Sequence, residues 1–198
     1  YEEFTTVDKF TAYENRYCLP IGFLVSEDIT GWYASAADPF MAQNKLWRIA
    51  TGIPEDVFEP VPILDATYYN IEEFDDVSSG YYTFYTINED QSASFTLTVV
   101  PEKEQNIYIF VKSSSVTTVT MRKEDESGWI KSQTIDEPYI FDLGVHTPGT
   151  PIYIDLPVDE DTSGAVDVAI YGINEEIFTE GFEILNNRGL NVTKMTDT

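Results

Sequence analysis

The 198-residue sequence has few of the groups from which active sites are usually built. It carries one cysteine, Cys18, and one histidine, His146. A single cysteine excludes an internal disulfide, and one cysteine and one histidine far apart in sequence leave no set for a structural zinc. Between Tyr17 and Leu19, Cys18 is expected to be a small buried hydrophobe rather than a reactive thiol. Any serine or cysteine nucleophile would need His146 as its base. That residue lies in the turn-rich run Gly144-Val145-His146-Thr147-Pro148-Gly149, and no Gly-x-Ser-x-Gly elbow exists for it to serve, so a solvated loop histidine is expected. Bases are scarce too. Against 35 acidic residues there are 11 Lys and Arg, for a formal charge of −24. Such a chain repels phosphates, which excludes nucleic acid as a partner and disfavours docking on anionic headgroups. The same charge favours a soluble monomer. No window approaches ~20 apolar residues and no charged-then-apolar leader opens the chain. An excised soluble segment of a longer protein is therefore the expectation.

What the sequence does have is aromatic rings, 14% of all residues, and enough length to bury a large core. From Tyr13 to Gly52 it reads Tyr13-Glu14-Asn15-Arg16-Tyr17-Cys18-Leu19-Pro20-Ile21-Gly22-Phe23, a turn, then Asp38-Pro39-Phe40-Met41-Ala42-Gln43-Asn44. Leu19 to Val25 is apolar enough for a buried strand. Pro20 cannot donate to a ladder and Gly22 gives up packing, so a bent or edge segment is expected there. Asp38 can cap a helix whose first residue is Pro39, and Gly52 can stop it, which predicts a helix over 39–51. Phe40, Asn44 and Trp47 fall on one of its faces. Prolines 54, 60 and 62 mark a boundary without regular structure.

Beyond that boundary come short runs rich in Val, Ile, Tyr and Phe, separated by turns such as Ser127-Gly128 and Pro148-Gly149. They predict a mainly β chain with two short helices, an antiparallel β-sandwich of jelly-roll type, with the N-terminal strand and helix segment packed on it. Asn174, followed by Glu175 and Glu176, predicts the start of the second helix, running to Gly189. The expected divisions are 1–62, a sandwich over 63–173, and 174–198.

Residues 13–23 with 38–44 resemble the signature of the bacterial YfhO-type polytopic membrane proteins, in which an EN-x-Y-x-LP-x-GF run is followed by (N/D)PF-x-x-QN at this spacing. The run Tyr171-Gly172-Ile173-Asn174-Glu175-Glu176-Ile177-Phe178, continuing to Leu190-Asn191-Val192-Thr193 and Thr196-Asp197-Thr198, is similar to a second stretch of that family. The resemblance implies Asn15, Pro20, Gly22, Pro39, Phe40 and Asn44 as a structural signature. It also implies a multispanning glycosyltransferase of the lipid-linked-sugar class, from Gram-positive bacteria, that decorates cell-wall polymers such as lipoteichoic acid. This chain would then be a portion on the extracytoplasmic side of the cell membrane, partnered by its own transmembrane domain. The carboxylate expected to act in such enzymes lies near the membrane, so no catalytic residue is nominated here, and no cofactor.

Two site readings remain to be placed. Asp159, Asp161, Ser163 and Asp167 carry oxygens at the alternate spacing of an EF-hand loop, with Gly164 at the bend, but Ile170 stands where the bidentate Glu should be. A solvated acidic hairpin is the preferred reading, as it is for Glu72-Glu73-Asp75-Asp76. In Tyr81-Tyr82-Thr83-Phe84-Tyr85 both faces of a strand carry rings. Core packing is preferred there, with sugar stacking at Tyr81, Tyr82 and Tyr85 as the alternative. Function stays open between an accessory domain that contacts cell-wall glycan and a structural cap for the membrane core. A secreted hydrolase is disfavoured.

Overall fold

The computed structural model describes residues 2–7, 9–15, 17–20, 22–34, 38–123, 130–135, 137–158 and 163–189. The chain divides into two compact units. One gathers the described residues of 1–36, Met41–Val57 and 174–198, and the other comprises 37–40 with Phe58–Ile173. The first unit thus draws on both the N-terminal and the C-terminal divisions expected from sequence.

In the first unit, β1 (Glu2–Val7) and β2 (Phe10–Glu14) form an antiparallel hairpin. Among the described residues of 19–25 no strand of the kind the composition suggests is present; Phe23 makes an isolated β-bridge to Gly189, and Leu24 is exposed. Pro20 and Gly22 explain this, since neither supports a regular ladder. The helix α1 (Pro39–Thr51) begins where the Asp38 carboxylate accepts the amide of Phe40 at 2.8 Å. It stops at Gly52, which has φ +87 and donates its N–H to Arg48 O at 2.9 Å, the left-handed stop that glycine adopts without penalty. The second helix, α2 (Glu175–Asn187), is capped by Asn174, whose side chain accepts from Ile177 N.

Aromatic rings join these helices. Trp47 lies parallel to Phe178 with centroids 5.5 Å apart, and Tyr17 sets its edge on Phe178 and Phe182. Gly181 lets them approach, because a Cβ there would sit 2.3 Å from the Trp47 ring. Arg188 donates to the carbonyls of Ala50 and Thr51 at 2.9 and 3.1 Å, placing a cation on the negative end of α1.

Among the signature residues, Phe40 and Asn44 are buried, Asn44 at 3% exposure. Pro20, Gly22 and Pro39 are half-buried. Asn15 and Cys18 correct the sequence reading. Asn15 is exposed and accepts the Tyr17 amide at 3.0 Å in a local turn, and Cys18 is exposed, with the described residues on either side of it, 17 and 19–20, in no strand.

The second unit consists of two five-stranded antiparallel sheets. The strands are β3 (Phe58–Pro60), β4 (Ile63–Tyr69), β5 (Tyr81–Tyr85), β6 (Ala93–Val99), β7 (Gln105–Ser113), β8 (Thr118–Lys123), β9 (Ile130–Thr134), β10 (Tyr139–His146), β11 (Ile152–Val158) and β12 (Ser163–Ile173). One sheet runs β10-β7-β12-β3 with β5 also on β12, and the other runs β4-β6-β11-β8-β9. The inward residues of both, among them Phe95, Leu97, Val99, Ile107, Ile109, Val111, Ile154 and Val166, fuse into one core. Burying each such side chain contributes roughly 1.5–3 kcal/mol. This is the mainly β, jelly-roll-like sandwich with two helices that the pattern predicts.

Two local expectations give way. The proline-bounded stretch is not free of regular structure. Phe58–Pro60 pairs with Tyr171–Ile173, and Pro60 is tolerated because β3 is a short outer strand. His146 is no solvated loop residue either. It ends β10 at 1% exposure, with Nε2 donating to Leu143 O at 3.1 Å.

Candidate functional site

Within the sandwich, the outward face around β5 and β12 collects exposed rings and charges. The strand β5 alternates strictly, so Tyr81, Thr83 and Tyr85 point out and Tyr82 and Phe84 point in. Tyr81 and Tyr85 are 58% and 61% exposed, whereas Tyr82 is 1% exposed. Tyr82 is therefore a core residue. Its hydroxyl donates to Val77 O at 2.6 Å, and burial raises its phenol pKa well above the usual range.

The start of β5 is held rigidly. Asp76 caps the single turn Val77–Ser79 by accepting the amide of Ser78 at 2.9 Å. Gly80 follows with φ +74, and its carbonyl accepts Val168 N at 2.7 Å. A Cβ at Gly80 would lie 2.5 Å from Val168 O, so only glycine fits. This turn fixes the direction in which Tyr81 leaves the sheet.

Register then places charges beside the ring. Asp167 on β12 lies directly opposite Tyr81 on β5 and, on its other side, opposite Lys112 on β7. The three outward side chains form a row across the sheet, roughly 10 Å long at about 5 Å per cross-strand step. A hollow of about 450 Å³ is lined by Tyr81, Lys112, Ser113, Glu137, Ala165 and Asp167. On the other side of Tyr81, a second hollow of about 340 Å³ is lined by Glu72, Glu73, Asp75, Thr83 and Tyr85 among others. Tyr81 borders both.

The Asp167 carboxyl titrates above its ordinary value. Partial burial is the main cause, the Lys112 ammonium opposes it, and Asp38 adds to it. Among the described residues the Asp167 carboxylate makes no ion pair within 4 Å. An ionised group kept partly desolvated at a cost, without a saturating partner among those residues, can accept hydrogen bonds from an incoming molecule.

Asp159 and Asp161 lie outside the described residues. Ser163 and Asp167 are on β12, paired with Tyr85 and Tyr81, so these two are sheet residues. Among the described residues no group of three His, Cys, Asp or Glu side chains is arranged to hold a metal ion. Lys112 and Glu137 escape a sequence reading, because register sets Lys112 opposite Asp167 and Glu137 lines the same hollow from the segment before β10. Alternation along β12 marks Asp167 as outward-facing but cannot say what stands next to it.

Among solved structures, the chain is similar to TmCBM61 in complex with β-1,4-galactotriose, at 14% identity over 56% of this chain and 87% of that one, with a TM-score of 0.35. It is similar to a family 29 carbohydrate binding module complexed with cellulohexaose, at 12% identity over 54% and 91%, TM-score 0.29. A third is the enzymatically active domain of bacteriophage CBA120 tailspike protein 4, at 18% identity over 59% of this chain and TM-score 0.33, where the match spans 19% of the tailspike chain. No curated protein matches the chain. No helix among the described residues is long and apolar enough to cross a membrane. The family description "Bacterial membrane protein YfhO" matches residues 1–198, the whole chain including the Tyr13–Asn44 signature, and the chain belongs to that family.

Proposed function

We propose that this chain is an extracytoplasmic accessory domain of a YfhO-family membrane protein, that it contacts neutral cell-wall glycan, and that it carries out no chemistry of its own. The observation that carries the reading is the pair Tyr81 and Tyr85. Two rings more than half exposed on one face of one strand, bordering hollows rimmed with polar groups, suit stacking on the C–H faces of sugars. The charge of −24 steers the choice toward neutral sugars and away from polyphosphate, so in a wall polymer such as lipoteichoic acid the glycosyl substituents are the contact and the phosphate backbone is not. His146, the one imidazole, is enclosed in the sandwich and engaged by a backbone carbonyl, which supports a role without hydrolysis.

The test is an NMR titration of neutral wall-type oligosaccharides into the isotope-labelled chain. Shifts confined to β5, β12 and the flanking loops are expected, with affinity on the order of 1 mM, about −4 kcal/mol. Tyr81→Ala should abolish them with little change in stability. If millimolar ligand produces no shifts, the glycan reading falls and a purely structural cap stands in its place. Turnover of a model glycoside that tracks the purified chain would refute the absence of chemistry.

A further inference from the structure

The row Tyr81, Asp167, Lys112 has a chemistry more specific than an aromatic platform. One ring offers its face, one carboxylate accepts, and one ammonium donates, all on the outward side of three neighbouring strands. The Lys112 ammonium has three donors and no acceptor, and ionised Asp167 has only acceptors. Lys112, like Asp167, makes no ion pair within 4 Å among the described residues, so the two charges act on each other across the sheet without a direct pair. A ligand that satisfies both must offer O–H donors to one and oxygen lone pairs to the other within one ring's width. A phosphate or carboxylate would suit Lys112 but would meet Asp167 and Glu137 across the hollow, and an ammonium would meet Lys112.

We infer that Asp167 and Lys112 are the specificity-determining pair of the glycan site and select a neutral pyranose with two adjacent free hydroxyls, seated with its C–H face on Tyr81. The inference rests on the glycan-contact reading and adds the sugar class to it. One hydroxyl donates its proton to an Asp167 carboxylate oxygen, and its neighbour accepts a proton from Lys112 Nζ. Hydrogen bonds to ionised partners are about twice as strong as neutral ones, which lets two residues discriminate between sugars that stack alike. The fold keeps Asp167 ionised and partly desolvated at the centre of this row, a cost to folding that ligand hydroxyls would offset.

The experiment uses the whole chain, with cellohexaose as the probe and the same oligosaccharide methylated at its secondary hydroxyls as the comparison. Methylation keeps the C–H faces and removes the donors. Wild-type protein should bind the methylated probe at least about tenfold more weakly, and Asp167→Asn and Lys112→Met should each weaken cellohexaose binding by about the same factor. Wild-type affinity should also fall as pH drops through the titration of Asp167. That group is faced by Lys112 from β7, Tyr81 from β5, Asp38, and Glu137 across the hollow. The pH dependence should vanish in Asp167→Asn, which a merely structural aspartate would not bring about. Equal binding of the free and methylated probes overturns the pair's role, and so does unaltered affinity in both variants while Tyr81→Ala binds nothing. Either result leaves the aromatic contact standing. Failure of wild-type protein to bind any neutral oligosaccharide overturns both readings, and the methylation arm needs no variant to fold.

Discussion

Gly80→Ala would place a methyl group 2.5 Å from the carbonyl oxygen of Val168, in a residue held at φ +74. Two costs add at this site. An L-residue in the left-handed region loses about 1–2 kcal/mol, and a forced overlap in a packed region costs about 1–3 more. The second cost is not easily relieved, because the atom in the way is backbone and Val168 N is bonded to the Gly80 carbonyl at 2.7 Å. Stiffening the unfolded chain returns about 0.4–1 kcal/mol. A net loss of about 2–4 kcal/mol follows. Gly149 supplies the control within the same sandwich, since its φ is +76 but nothing lies within 4 Å of an added Cβ, so Gly149→Ala should cost only about 1 kcal/mol. With a urea slope near ~2 kcal/mol/M, the Gly80→Ala midpoint should lie about 0.5–1.5 M below that of Gly149→Ala. Midpoints that agree within about 0.2 M would refute the argument that backbone approach, and not dihedral angle alone, demands glycine before β5.

Asn44→Ala removes a buried amide from α1 and should lower stability by about 1–3 kcal/mol, read as a urea midpoint, whereas Asn15→Ala at its exposed turn should stay within about 0.5 kcal/mol. Asp167 should titrate against folding. Its folded pKa is raised above the unfolded value, so its ionisation penalises the native state at neutral pH, and the penalty is relieved as pH falls from the folded pKa toward the ordinary carboxylate value of 3.8. Asp167→Asn should therefore melt higher than wild type at pH 7, with an advantage that disappears below about pH 4; a variant no more stable at pH 7 would contradict the burial argument. Saturating calcium should leave the melting temperature nearly unchanged, because Ser163 and Asp167 are committed to sheet positions and Ile170 faces the core. A rise of several degrees at low millimolar calcium would show a site at 159–167.

Much of the sandwich was legible because its strands obey a period of two. The pattern of β6, with every second residue of Ala93–Val99 buried, could be written down from the letters Ala-Ser-Phe-Thr-Leu-Thr-Val alone. Helix α1 was legible from Asp38, Pro39 and Gly52, each of which acts within its own turn. The described residues of 19–25 misled because apolar composition is not pairing, and Pro20 and Gly22 outweighed it. His146 misled because turn-rich neighbours say nothing about what covers a side chain, and β10 carries it inside. The site was only half visible. Exposed tyrosines could be suspected from consecutive rings, but which of Tyr81, Tyr82 and Tyr85 faces outward depends on one register choice, and Lys112 lies far along the sequence from the ring it accompanies.

The sandwich opens and closes on one pair of strands. Phe58, at the start of β3, stands opposite Ile173, at the end of β12, the register runs to Pro60 and Tyr171, and Val61 N donates to Ile170 O at 2.8 Å just beyond it. Antiparallel strands pulled from a shared end unzip, each bond breaking in turn, instead of resisting together in shear. Tension entering the chain at 58 and leaving at 173 therefore meets three residue pairs in succession, with no donor at Pro60, before it reaches the Val61 bond. Under load this seam would give first, while the β12–β5 and β12–β7 ladders that align Tyr81, Asp167 and Lys112 stay intact.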